Sequence, residues 1–483
     1  MTLAEIAKAV GGVLGAGTDG AITVTGPAAE DSRAVPPGGL FAAFDGEKVD
    51  GHEYAAGAVQ RGAAAVLASR QIDGVPSVIV PDVQEALGRL ARDVLARLPD
   101  ITVIGLTGSS GKTSTKDMLG QVLAGHAATV ATEGSYNNEI GLPLTVLRAD
   151  GQTRYLVLEM GSRGIGHLKY LCEIAPPQIG MVLNIGSAHV GEFGSKEQTA
   201  LAKGELVEAL PAGGTAVLNA DDPLVAPMNR RTRARVVTFG ESADADVRAE
   251  DIALGPDGRA SFVLRAGDVG PEHGGSARVS LQLVGEHQVG NALAVAAAAL
   301  AVGMPPGRIA ERLSAAVPLS GGRMSVTERP DGVVVIDDAY NANPESVRAA
   351  LKSLAALVRS RPGARAWAVL GTMLELGGRA DEEHDAIGRL AVRLGIDRLV
   401  AVGEGAARIH AGAGHEGSWG EESVMVADPE AALALLEEQL RPGDVVLVKS
   451  SKAAGLRRVA LALIEKDAGG GGAGAGGRAE GDR

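Results

Sequence analysis

The sequence predicts an α/β protein of three domains. A small N-terminal α/β domain spans residues 1–99. A central domain, 100–319, has a mostly parallel sheet around a phosphate-binding loop. A C-terminal doubly wound domain covers 320–467, and a Gly-rich tail, 468–483, is predicted to be disordered. Three observations predict this. At 483 residues the chain is too long for one hydrophobic core. Short apolar runs alternate with helical patterns, which implies parallel strands joined by crossover helices. Finally, Val103–Thr113, VIGLTGSSGKT, leads a β-branched run into a Gly-rich turn and then Lys-Thr, with Met118, Leu119, Val122 and Leu123 at helical spacing behind it.

Taken in order, the first domain holds apolar runs at Gly39–Phe44, Ala63–Leu67 and Val75–Val80, then a helical pattern from Val83 to Leu98; Leu98-Pro99-Asp100 marks its end. Strands of the central domain are expected at Ile101–Leu106, Tyr155–Glu159, Ile179–Asn184 and Ala216–Asn219. Arg248 to Leu283 alternates like β structure, with turns at Pro256-Asp257-Gly258 and His273-Gly274-Gly275, and Glu286 to Ala301 reads as a helix. The last domain offers strands at Gly332–Asp337, Ala366–Leu370, Arg398–Val402 and Val445–Lys449.

Composition excludes several classes. A 45% hydrophobic, 22% charged chain is that of a soluble globular protein, and with 2% aromatics its cores are built from Ala, Val and Leu. No stretch is apolar enough to span a bilayer, and the N-terminus lacks the basic start of a signal peptide, so a cytoplasmic protein without membrane insertion is expected. The single cysteine, Cys172, excludes an internal disulfide and a cysteine metal cluster and is expected to be a buried free thiol. A net charge of −13 argues against nucleic acid as a partner, although local basic groups can still hold phosphates. A monomer is expected.

In the glycine loop, backbone N–H groups at a helix N-terminus face an anion, Lys112 reaches the terminal phosphates, and the Thr113 hydroxyl can ligate magnesium; ATP is the expected energy source. Leu106 stands where the usual pattern has its first Gly; the glycines fall at 105, 108 and 111.

Other chemistry gathers at strand ends, where α/β proteins carry their sites. Glu159 closes one strand; alone it reads as a surface carboxylate, beside a phosphate loop as a magnesium ligand. Asn184 to His189 follows another, and His189 is either structural or a ligand for metal or phosphate. Lys203 lies on a polar helix, and spacing alone favours a solvated charge. Asn219-Ala220-Asp221-Asp222-Pro223 reads as a turn with a helix cap. Val335 to Pro344 opens a buried strand into Asp-Asp and Asn-Pro, a pattern expected of a functional loop.

Together these segments resemble the Mur ligases, the ATP-dependent amide-forming family of peptidoglycan synthesis, over the whole chain except the tail. Thr107–Thr113 is similar to the family's T-G-S/T-x-G-K-T loop, which tolerates the missing first Gly. Asn137-Asn138-Glu139-Ile140-Gly141-Leu142-Pro143, Glu159-Met160-Gly161, Asn184 to His189 and Ala202-Lys203-Gly204-Glu205 follow in the family's order. So do Gly285-Glu286-His287 with Asn291-Ala292-Leu293, the D-D-x-Y-N-A-N-P run Asp337–Pro344, and Leu370-Gly371 with Glu375-Leu376-Gly377. At the N-terminus, Asp31-Ser32-Arg33, Phe41 and Asp50-Gly51-His52 resemble the family's UDP-binding domain. Three positions depart: Gln288 where Asn is usual, Thr372 where an acidic residue is common, and Ser450-Ser451 for a Gly-Ser pair. The D-N-P-R signature of the diaminopimelate-adding relatives is absent.

The resemblance implies a UDP-binding first domain, a central ATPase domain and a Rossmann-like ligase domain. It also implies the subgroup that joins D-alanyl-D-alanine to UDP-N-acetylmuramoyl-tripeptide through an acyl phosphate. It assigns catalysis to Lys112, Glu159, His189 and Lys203. ATP falls to Thr107, Gly108, Ser109, Ser110, Gly111, Lys112 and Thr113, with Gln288, Asn291, Arg323 and Asp338. Magnesium falls to Thr113, Glu159 and His189 with Lys203, which the family carbamylates. Peptide or UDP substrate falls to Ser32, Arg33, Asn137, Asn138, Tyr340, Asn341 and Asn343. The alternatives are a sibling such as folylpolyglutamate synthase or another Mur enzyme, or a non-catalytic nucleotide-binding protein. The UDP-domain motifs oppose the folate enzyme, D-D-A-Y-N-A-N-P opposes the other Mur enzymes, and the full set of expected metal ligands opposes the non-catalytic reading.

Overall fold

The computed structural model describes residues 1–46, 49–186, 194–269, 274–417, 420 and 422–465. They form three sheets with separate cores. The first contains β1 (Val13–Leu14), β2 (Ala28–Ala29), β3 (Leu40–Ala42), β4 (Ala65–Ala68) and β5 (Ser77–Ile79), in the order β1-β5-β4-β3-β2, with only the β1–β5 pair antiparallel. Helices α1 (Leu3–Val10) and α3 (Val83–Ala96) cover it with Leu3, Ile6, Leu87 and Leu90; α2 (Ala55–Gln60) precedes β4. Asp82 starts α3 by accepting the Glu85 N–H at 2.9 Å, a side-chain N-cap. Ala91, on the other face of α3, packs with Ile101, Val103 and Leu142 of the central part, so one helix serves two cores.

The central sheet runs β14-β13-β12-β11-β10-β9-β6-β8-β7. Its strands are β6 (Thr102–Thr107), β7 (Thr129–Ala131), β8 (Tyr155–Glu159), β9 (Ile179–Val182), β10 (Thr215–Asn219), β11 (Arg235–Gly240), β12 (Val247–Leu254), β13 (Arg259–Ala266) and β14 (Gly275–Val284). From β7 through β12 all pairs are parallel, and β12–β13–β14 form an antiparallel meander. Strand β6 lies between β8 and β9, with Leu106 opposite Glu159 and Thr107 opposite Val182. Three strand ends therefore open into one crevice, where connections leave the sheet in both directions. The helices here are α4 (Lys112–Ala124), α5 (Gly141–Val146), α6 (His167–Ile174), α7 (Lys196–Glu208), α8 (Gln288–Ala301) and α9 (Pro306–Ala315). Helix α8 is apolar all round, as an interior helix should be, and its alanines from Ala292 to Ala299 are fully buried.

The third sheet, β15-β16-β20-β17-β18-β19, is parallel except at β15. It contains β15 (Ser325–Glu328), β16 (Val334–Asp337), β17 (Ala366–Leu370), β18 (Arg398–Val402), β19 (Ser423–Val426) and β20 (Val445–Lys449). Its period-2 alternation separates two cores: Val445 and Leu447 face α10 (Pro344–Arg359), α11 (Ala380–Arg393) and α12 (Ala407–Glu416), whereas Val446 and Val448 face α13 (Pro429–Gln439) and α14 (Arg457–Glu465). The doubly wound expectation holds.

Helices α11 and α12 cross with their backbones touching. A Cβ on Gly388 would lie 1.9 Å from the Ile409 carbonyl oxygen, and one on Gly412 would lie 2.2 Å from the Asp385 oxygen. Neither backbone can yield as a side chain can. Gly388→Ala is therefore expected to destabilise the chain by about 2 kcal/mol, as overpacking does, and to lower the melting temperature in calorimetry.

Cys172, on α6, is buried, and burial pushes its thiol up to about 12. The thiolate is the reactive form, so Cys172 should resist iodoacetamide near pH 8 in the folded chain and react after denaturation, read by intact mass.

Asp222 caps the turn that leads into the 3-10 helix Ala226–Arg231: its carboxylate accepts the N–H groups of Leu224 (2.9 Å) and Val225 (3.2 Å), its carbonyl accepts that of Ala226 at 3.0 Å, and the carboxylate also takes the N–H of Ile185 at 2.7 Å, tying two strand ends together. Two expectations are corrected. Lys203 is not solvated but fully buried. The Glu286 helix begins at Gln288. The tail, His189 and the His273 turn lie outside the described residues, apart from Gly274 and Gly275. Among the described residues no helix is long and apolar enough to cross a membrane.

Candidate active site

The loop after β6 is shaped by backbone needs. Gly111 has φ +79°, a left-handed conformation, and a Cβ there would meet Asn291 Oδ1 at 2.5 Å, so both strain and space demand glycine. Helix α4 starts at Lys112 with no side-chain cap on its N-terminal N–H groups, which leaves them directed at an anion. Asn184, just past β9, fixes the loop. Its Oδ1 accepts the N–H groups of Ser109 (3.0 Å) and Ser110 (2.9 Å), and its Nδ2 donates to the Ser110 carbonyl at 3.1 Å. The Ser109 hydroxyl accepts the Gly186 N–H at 2.8 Å. The Lys112 ammonium donates to the Gly108 carbonyl at 2.8 Å. Burial pulls its pKa down, Glu159 opposes that, and Arg323 adds to it.

At the end of β8, the buried Glu159 accepts from the Thr113 hydroxyl at 3.0 Å and from Asn137 Nδ2 at 2.6 Å. Thr113 also lies 3.2 Å from the Ser135 hydroxyl. A hydroxyl beside a carboxylate, next to a phosphate loop, is the hard oxygen set that suits magnesium, which takes few protein ligands and completes its shell with phosphate and water. Lys203, on α7, enters the same cavity. Burial, then the charge of Lys112, holds its pKa well below the ordinary lysine range.

The third domain supplies the opposite wall. The Arg323 guanidinium lies 4.4 Å from the centre of the Tyr340 ring. Asp338 accepts from Lys449 Nζ at 2.6 Å and from the Met324 N–H at 3.1 Å. Lys449 also donates to the Asn341 carbonyl at 3.0 Å; burial lowers its pKa and Asp338 partly restores it. Asn343 begins α10 as an N-cap, and its Nδ2 donates to the Ser109 carbonyl at 3.2 Å. On the floor, Gln288 Oε1 accepts from Asn291 Nδ2 at 2.9 Å, beside a His287 whose burial lowers its pKa.

These groups line one cavity of about 400 Å³. It collects the loop from Ser109 to Thr113, with Glu159, Lys203, Gln288, Asn291 and Arg323, and with Asp338, Tyr340, Asn341 and Asn343. Asn137 and Asn138 line it too; Asn138 additionally accepts the Gly141 N–H at 2.9 Å, starting α5. Thr107 and Gly108 lead into it from β6. Ser32 and Arg33 are not brought there. The Ser32 hydroxyl accepts from Arg61 at 3.1 Å, and Arg33 pairs with Asp31 at 2.7 Å on the surface of the first domain. Phe41 is a core side chain, and His52 Nδ1 lies 2.6 Å from Asp50. Sequence reasoning did not single out Lys449 or the role of Asn184, and it named His287 only as part of a family-like segment. The signal for Lys449 was a cation closing the apolar run VVLVK.

Comparison with known proteins agrees along the length of the chain. Residues 30–95 match a model of the Mur ligase family catalytic domain, 106–299 the Mur ligase middle domain, and 322–452 the Mur ligase glutamate ligase domain. The UDP-N-acetylmuramoyl-tripeptide–D-alanyl-D-alanine ligase of Mycobacterium tuberculosis is 50% identical over 97% of this chain and 98% of its own. That of Escherichia coli is 34% identical over 96% and 98%. Among solved structures, MurF from Acinetobacter baumannii superposes with a TM-score of 0.84 at 31% identity, covering 96% of this chain and 98% of its own. MurF ligase from Thermotoga maritima in complex with ADP gives 0.76 at 30% identity, covering 92% and 98%.

Proposed function

The chain belongs to the Mur ligase family, and from that membership we propose that it is the ATP-dependent ligase that joins D-alanyl-D-alanine to UDP-N-acetylmuramoyl-tripeptide. The observation that carries this is the near-complete, 50% identical match to a ligase of that name, together with a phosphate loop, an acidic strand end and a third-domain wall in one cavity. The boundaries near 99/100 and 319/320 then separate a UDP-binding, an ATP-binding and a ligase domain. Ser32 and Arg33 hold the UDP end of the substrate, away from the chemistry. We place the enzyme in the cytoplasm, as a monomer.

A carboxylate is a poor electrophile, so the peptide carboxylate oxygen first attacks the γ-phosphorus of ATP and ADP leaves. The amine of the dipeptide then attacks the acyl phosphate, loses a proton and displaces inorganic phosphate. Both steps bring like charges together, and catalysis is mostly positioning and neutralisation. Lys112 and the N–H groups of Gly111, Lys112 and Thr113 hold the phosphates, and Thr107 to Ser110 shape the loop around them. Arg323 and Asp338 clamp the nucleotide from the third domain, and Gln288 with Asn291 borders the base. Asn137, Asn138, Tyr340 and Asn341 border the peptide, and Asn343 does so through the loop. Thr113 and Glu159 would hold one magnesium, and His189 with a carbamylated Lys203 a second; the ions would neutralise phosphate charge and polarise the acceptor. Burial and the charge of Lys112 both disfavour the charged amine, and the uncharged amine is the form that adds CO₂, so Lys203 suits the carbamate. Closure of the third domain keeps water from the acyl phosphate.

Phosphate release from ATP and magnesium is expected only when tripeptide and dipeptide substrates are both present. Release with neither, or with a folate instead, would remove this reading. Asn184→Ala should raise the KM for ATP by roughly tenfold, because the Ser110 N–H and C=O both lose their side-chain partner while Ser109 keeps only the Asn184 backbone carbonyl; an unchanged KM in the same assay would remove Asn184 from the site.

A further inference from the structure

The Ser109–Ser110 peptide unit is gripped from both ends. Its N–H, on Ser110, donates to Asn184 Oδ1 at 2.9 Å, and its C=O, on Ser109, accepts from Asn343 Nδ2 at 3.2 Å. The first partner follows β9 of the central sheet and the second is the N-cap of α10 in the third domain. Among the described residues this is the one hydrogen bond from the third domain to the phosphate loop. Elsewhere the two parts meet at the linker, where Asp117 accepts the Ser320 N–H at 3.2 Å and Gln121 brackets Val317, at the looser Lys196–Glu345 pair, 3.7 Å apart, at a long Arg323–Ser135 contact of 3.5 Å, and at the far edge, where the Ser360 hydroxyl donates to the Pro256 carbonyl and Val284 packs into the third domain's core; none of these touches the loop.

We propose that Asn343 is a positioning residue that latches the third domain onto the phosphate loop, so that domain closure depends on the orientation of the Ser109–Ser110 peptide. This rests on the ligase reading above, which requires closure. One amide performs two tasks. Its oxygen accepts the Ser346 N–H at 2.8 Å and caps α10, while its nitrogen reaches across to the loop. A serine or aspartate can do the first task, but neither can do the second, because serine is too short and a carboxylate has no hydrogen to donate. With both polar atoms committed to protein and 9% of its surface exposed, Asn343 acts on substrate through the loop. Turning this peptide over would break its bond to Asn184, withdraw the carbonyl and release the latch.

The test uses the full chain carrying Asn343→Asp, and Asn343→Ser should the buried carboxylate prevent folding. Both keep a good cap, so melting temperatures should stay near that of the parent. The radius of gyration with ADP and magnesium, from small-angle scattering, should be larger in the variants than in the parent, and kcat should fall roughly tenfold. A folded variant as compact as the parent overturns the latch, whatever its kinetics, and so does a loss confined to the KM of a peptide substrate. If the parent itself released no phosphate with the named substrates, the ligase reading would fail, while the scattering comparison would still decide the latch.

Discussion

Replacing Lys112 with Met is expected to lower kcat by roughly 10³-fold or more while leaving the folded chain as stable as before, or more so. The two effects have one cause. Lys112 is a cation at the base of the cavity whose charged form is disfavoured by burial. Its ammonium rests on the Gly108 carbonyl, within the loop that is to receive an anion. Before the nucleotide arrives, the charge costs folding energy, offset in part by Glu159. Once phosphate is present, the charge meets its partner where water is scarce, and its value rises as negative charge shifts during transfer. Removing it therefore costs catalysis and spares stability. Lys112→Arg should not restore the rate, since a planar guanidinium cannot occupy a site shaped for a compact ammonium. Steady-state phosphate release and a thermal melt check both halves; a variant within tenfold of the parent kcat would remove Lys112 from the phosphate site.

What the sequence disclosed follows from how parallel sheets are built. Strands buried on both faces read as unbroken apolar runs, and Tyr155–Glu159 and Ala366–Leu370 fall where the pattern put them. The abrupt polar residue after each run marks the strand end, so Glu159, Asn184 and Asp338 were visible without coordinates. The two-residue strands β1 and β2 were not, because pairing partners rather than composition define them. Lys203 was misjudged although a signal existed. Thr199, Lys203, Leu206 and Val207 recur every three or four residues and are all buried, so the lysine lies on the inner stripe of α7. Its charge suggested solvent, and the stripe outweighed it. The Asn343–Ser109 bond spans 234 residues, and no local pattern reports a contact between two loops that depends on how two sheets face each other.

Replacing Lys203 with Ala should abolish phosphate transfer, by roughly 10³-fold or more, and a small carboxylic acid such as acetate should restore part of the rate. A bare ammonium is an implausible tenant of this position. It is fully buried beside Lys112, a like charge, and both burial and that neighbour lower its pKa. A protein that needed only a cation here has Lys112 already. A carbamate converts the same side chain into an oxygen ligand and turns repulsion from Lys112 into attraction. Truncation to Ala leaves a cavity where the carbamate would sit, and a soluble carboxylate can enter it and present equivalent oxygens. Lys203→Arg separates the readings, because a guanidinium keeps the positive charge but does not add CO₂ at neutral pH. If positive charge is what matters, the arginine variant retains activity and acetate does nothing; if a carbamate is, the arginine variant is inactive and only the alanine variant responds to acetate. Intact-mass measurement of the parent under bicarbonate, where a gain of one CO₂ is expected, supplies the independent check.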